Sequence, residues 1–67
     1  METTKASLVV MSHLSDVQEE VKSKDPFIGS ITMRLNFAKY IILQTKGDLN
    51  QKIDADKLWE KFMKTQK

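Results

Sequence analysis

Between Gly29 and Gly47 the chain has no proline, glycine or acidic residue, and its middle, Ile31-Thr32-Met33-Arg34-Leu35-Asn36-Phe37-Ala38-Lys39-Tyr40-Ile41-Ile42-Leu43, is dense in apolar side chains. This stretch reads as a central helix carrying two apolar stripes. Ile28, Ile31, Leu35, Ala38 and Ile42 recur at spacings of three and four, and Met33, Phe37, Tyr40 and Ile41 form a second stripe turned partly away from the first. One partner helix covers one stripe, so the other needs a second cover, from this chain or from another.

The chain is short enough to make that demand hard to meet internally. At 67 residues it is expected to be a single small helical domain, residues 1–67, with a thin core. It has no cysteine, so neither a disulfide nor a thiolate metal site supplements that core. The single histidine, His13, lacks the spaced carboxylates that a closed zinc site would need.

The charges are unevenly distributed. Residues 1–26 carry Lys5, Lys22 and Lys24 against Glu2, Asp16, Glu19, Glu20 and Asp25, leaving −2. Residues 27–46 carry Arg34, Lys39 and Lys46 with no acid, giving +3. In residues 47–67 five lysines face four acids, for +1. An acidic first helix beside a cationic second one favours antiparallel pairing by a few tenths of a kcal/mol per contact, an order-of-magnitude figure for exposed charges. The total of +2 does not by itself make a nucleic-acid patch.

Taken in order, Thr3 or Thr4 is expected to cap a first helix ending near Lys24, with Val10, Leu14, Val17 and Val21 as its buried seam, widened by Leu8 and Met11. Lys24-Asp25-Pro26 ends it, because a residue before proline is pushed out of helical geometry, and Asp25 or Ser30 caps the second helix. The short connection makes the pair antiparallel, bringing Val21 near Ile31, Val17 near Leu35, Leu14 near Ala38 and Val10 near Ile42. Gly47 is the expected C-terminal cap of the second helix. Asp54 caps a third helix, with Ile53 stapled onto Leu58 and an apolar face of Leu58, Trp59, Phe62 and Met63. The two ends, Met1-Glu2-Thr3 and Thr65-Gln66-Lys67, are expected to fray.

Few residues suggest chemistry. His13 has no adjacent nucleophile or placed carboxylate, Glu19 and Glu20 diverge on a helix, and Gly29 and Gly47 are isolated rather than part of a phosphate-cradling loop. The chain is therefore expected to be non-enzymatic and to use no cofactor or metal. Leu8-Val9-Val10-Met11 is too short for an export signal and Ile31 to Leu43 too short for a bilayer span, so a cytoplasmic protein without a membrane partner is expected.

Two segments resemble known motifs. Lys52-Ile53-Asp54-Ala55-Asp56 resembles the exit of an EF-hand loop, but Gln51 stands where that loop has its glycine and Lys57 where it has its bidentate glutamate, so calcium ligation is not implied. With residues 6–12 read as a strand, Leu14-Ser15-Asp16 entering one helix and Gly29-Ser30 opening the next, residues 6–42 resemble a ribbon-helix-helix DNA-binding protein. That resemblance implies a transcriptional regulator whose paired strands enter the major groove. Its outward positions Val9, Met11 and His13 are mostly apolar here, with Ser12 inward.

The reading adopted is an all-α domain, an antiparallel helical hairpin plus a short third C-terminal helix. It acts as a protein-protein interaction or assembly module, with a second copy or another protein as partner and nucleic acid as the alternative. The expected contact face is Met33, Phe37, Tyr40 and Ile41, supported by Trp59 and Phe62. On that reading Phe37→Glu dissociates the assembly and leaves helicity intact.

Overall fold

The computed structural model describes residues 3–65, so the expected fraying of Met1, Glu2, Gln66 and Lys67 lies outside the described residues. Three helices dominate: α1 (Ala6–Lys22), α2 (Ile28–Gln44) and α3 (Ala55–Lys64). Two short strands, β1 (Thr4–Lys5) and β2 (Lys52–Ile53), pair antiparallel with Thr4 opposite Ile53 and Lys5 opposite Lys52. The chain is thus mostly helical but not purely so.

The strands explain how α1 starts. No side chain caps it, and neither Thr3 nor Thr4 fills that role; Lys5 occupies the cap position. Instead the ladder continues into the helix, where the Ala6 N–H donates to Gln51 O and the Ser7 N–H to Leu49 O, both at 2.9 Å. Backbone carbonyls of the loop before α3 satisfy donors that a capping hydroxyl would otherwise take. Residues 6–12 are helical throughout, so the strand on which the ribbon-helix-helix resemblance depends is absent from that segment.

α1 ends at Lys22 rather than Lys24, and α2 begins at Ile28 after Phe27, which lacks a side-chain cap bond; neither Asp25 nor Ser30 caps it. The connection is held from the other side, by the Phe27 N–H donating to Glu20 Oε2 at 3.0 Å. α1 packs on α2, with the contacts in opposite order along the two helices: Glu20 with Phe27, Asp16 with Arg34, His13 with Phe37.

At the far end of α2 the cap lies two residues earlier than expected. Thr45 is the C-cap, the Lys46 N–H donates to Leu43 O at 3.2 Å and the Gly47 N–H to Ile42 O at 3.0 Å. These two bonds form a Schellman motif that places Lys46, not glycine, at the first left-handed position (φ 54°), followed by Gly47 at φ 84°. A side chain there is strained, so Lys46→Gly is expected to raise stability by about 1 kcal/mol. Urea titration of the two proteins measures this, and an unchanged or lower midpoint contradicts it. Asp54 caps α3 as expected, accepting from the Lys57 N–H at 3.2 Å.

The core consists of Ala6, Val10, Phe37, Ala38, Ile41, Ile53 and Phe62, with Val9, Met33, Tyr40, Leu49, Leu58 and Trp59 packed around it. Ile53 and Leu58, the expected staple, both belong to this cluster. α1 is rotated relative to the expected seam. Val10 is buried and Val17 half-buried, whereas Leu14 and Val21 are exposed; Ala6 and His13 turn inward instead. The cause is α3, whose Trp59 and Phe62 reach the second stripe of α2 and draw the core to that side.

Candidate functional site

The six residues expected to form a contact face separate into two groups. Phe37, at 1% exposure, Ile41 and Phe62 are buried inside this chain, and Met33, Tyr40 and Trp59 are half-buried at the edge of the same core. The rings make a continuous cluster. Phe37 stands edge-on to both His13 and Trp59 with centroids 4.9 Å away, and Phe62 lies 5.3 to 5.7 Å from Phe37, Tyr40 and Trp59. The second stripe of α2 is therefore covered by α3 and by the inward face of α1. Phe37, Ile41 and Phe62 cannot serve a partner while this core stays closed.

Where α1, α2 and α3 converge, a cleft of about 710 Å³ opens beside Phe27, Met33 and Trp59, with His13, Arg34 and Asp56 at its polar margin. Two of these, His13 and Arg34, are tied together. Arg34 Nη1 donates to Asp16 Oδ2 at 2.9 Å and lies 3.1 Å from His13 Nδ1. A guanidinium only donates, so Nδ1 accepts and the ring proton sits on Nε2. Burial, and secondarily the Arg34 charge, hold the His13 pKa below its ordinary 6.5 against an opposing pull from Asp16.

The unfolded chain takes up this proton near pH 6.5 while the folded chain stays neutral, so this contribution to stability is lost as pH falls through 6.5 toward the folded pKa. His13→Gln is expected to flatten the stability profile between about pH 7 and 5. Chemical unfolding across that window measures it; parallel profiles for the two proteins contradict it.

The opposite side of the helix pair also carries exposed apolar side chains. Here the first stripe of α2 and the expected seam of α1 are open in part: Leu14 is 42% exposed, Val21 55%, Ile28 66%, Leu35 39% and Ile42 40%, while Val10 and Ala38 are buried. A groove of about 440 Å³ runs between the helices, with buried Val10 and Ala38 at its floor, Leu14, Leu35 and Ile42 on its walls, and Thr32 and Lys39 on its rim. The central helix thus has apolar residues left uncovered on the face that antiparallel pairing is expected to give to α1.

A spacing of seven in the sequence marks this surface. Ser7, Leu14 and Val21 on α1 and Ile28, Leu35 and Ile42 on α2 fall in one heptad position, and Val10, Val17, Ile31 and Ala38 in the position three residues later. The later set is buried or half-buried within the chain. Of the earlier set, only Ser7 is not exposed. In a helical bundle both positions face the interior, whereas here only the later set does.

Compared with protein families, with curated proteins and with solved structures, the chain matches none. No helix among the described residues is long and apolar enough to cross a membrane.

Proposed function

We propose that this protein is a non-enzymatic interaction and assembly module that self-associates through the apolar face of its helical pair. In this reading α1 and α2 act as an antiparallel hairpin, α3 seals the side bearing Phe37 and Phe62, and the open side bearing Leu14, Leu35 and Ile42 is the contact. The observation that carries it is the exposure of five large aliphatic side chains in a single heptad position of two adjacent helices. Contiguous apolar surface of this kind on a small domain marks an association site. The half-buried Met33, Tyr40 and Trp59 belong to a separate margin and are not needed for it. A cysteine-free chain functions unchanged in a reducing compartment, which suits a cytoplasmic role.

Sedimentation equilibrium across a concentration series tests the proposal directly. The mass is expected to rise above the 7.7 kDa of one chain as concentration increases. A constant single-chain mass into the millimolar range refutes it.

A further inference from the structure

Four lysines that the sequence scatters over three segments come together beside the strand ladder. Lys5 and Lys52 stand directly opposite each other where β1 pairs with β2, so their side chains leave the same face of the ladder. Lys52 also lines, with Lys57 and Lys61 of α3, a shallow cleft of about 260 Å³. All four lysines are exposed. We infer that this face binds the phosphate backbone of duplex nucleic acid without reading its sequence. The surface involved is the ladder and α3, not the open side of the helical pair, so the binding does not depend on self-association.

Charge is the first support. Like charges directly opposite in a ladder repel, and no acid of this chain relieves the Lys5 and Lys52 pair. The ion pair among the described residues joins Arg34 to Asp16, and none of the four lysines takes part in one. α3 sorts its charges by edge: Lys57, Lys61 and Lys64 recur at spacings of four and three, whereas Asp56 and Glu60, four apart, fall on the other edge. The lysine edge borders this cleft, and Asp56 lines the cleft beside Trp59 instead. Asp54, the acid that does line the lysine cleft, is engaged in capping α3 through the Lys57 N–H at 3.2 Å. Glu19 and Glu20 sit at the far end of α1, about 20 Å along the helix from Lys5, beyond a Debye length at physiological salt.

The lining of the cleft selects the kind of partner. Besides lysines, its exposed groups are the amides of Gln44 and Gln51, while its apolar members are the buried Ile53 and the half-buried Leu58. Among the lining residues no exposed apolar side chain is available to enter a bilayer or to anchor a protein interface. The rings of Phe37, Tyr40, Trp59 and Phe62 pack on one another in the core, so unstacked bases find no platform on this face. Ammonium and amide groups that meet phosphate and sugar oxygens suit the backbone of a duplex, which holds its charges in a regular array.

Fluorescence anisotropy of a labelled duplex of mixed sequence, titrated with the full chain at a series of salt concentrations, tests this. On logarithmic axes the affinity is expected to fall with salt at a slope of about −3 to −4, roughly 0.9 for each lysine that displaces a counterion. Lys52→Gln, Lys57→Gln and Lys61→Gln are each expected to make the slope shallower by about one, with helicity unchanged by circular dichroism. Lys24→Gln removes the same charge from the connection between α1 and α2 and is expected to leave the slope as it is. Absence of binding at low salt overturns the inference, as does an equal loss from Lys24→Gln, which would make total charge the cause. Equally tight binding to the separated single strand or to vesicles containing phosphatidylserine overturns the assignment to a duplex, and so does displacement of the duplex by inorganic phosphate at constant ionic strength.

Discussion

Phe37→Ala is expected to unfold the chain, not to weaken its hold on a partner. Phe37 is among the largest fully buried side chains and touches the rings of His13, Trp59 and Phe62. Removing a buried phenyl ring costs about 3–5 kcal/mol, because the transfer term is lost and the surrounding core closes only partly over the space. A domain of this length has a total stability of roughly 3–10 kcal/mol, so one truncation consumes much or all of it. A carboxylate at the same site adds the burial of a charge, so Phe37→Glu is expected to be worse still and to lose helicity rather than spare it. Circular dichroism with urea titration is the measurement. A helical Phe37→Ala protein with an unchanged midpoint would mean that the aromatic cluster is not the centre of the core.

Leu35→Glu is expected to do the reverse, keeping the fold and abolishing association. Leu35 is 39% exposed on the wall of the groove, so a glutamate there extends into water in the single chain and leaves the core around Phe37 untouched. In the proposed assembly the same carboxylate would be enclosed among apolar side chains without a charge partner. That penalty is about 3 kcal/mol per copy and counts twice in a symmetric pair, or roughly four orders of magnitude in Kd. Sedimentation and circular dichroism on one sample separate the two effects. A Leu35→Glu protein that associates as tightly as the parent places the contact elsewhere, and one that loses its helicity places Leu35 in the core. The contrast between Phe37 and Leu35, only two residues apart, makes the pair a test of which side of α2 is inside.

The elements were legible because their signals are local. The absence of breakers between Gly29 and Gly47, Pro26 between the first two helices and Asp54 before the third announced three helices near their observed places. Asp54 could be assigned as a cap because its acceptor and the Lys57 N–H lie within one turn. The α1 start is not legible for the opposite reason: the carbonyls that satisfy it come from Leu49 and Gln51, more than forty residues away in the chain. The left-handed position at Lys46 is hidden because glycine next to it is the stronger residue-type signal.

The sequence by itself determined that the central helix has two apolar stripes and that one helix cannot cover both, since this follows from residue spacing alone. Which stripe is covered was decided by tertiary structure. α3 brings Trp59 and Phe62 onto the Met33, Phe37, Tyr40 and Ile41 side, where their rings pack against those of Phe37 and Tyr40. α1 therefore turns Ala6, Val10 and His13 toward that core and leaves Leu14 and Val21 outside. Periodicity fixes how much of a helix is apolar, but the competition among its neighbours for the same surface is settled only when all of them are packed together.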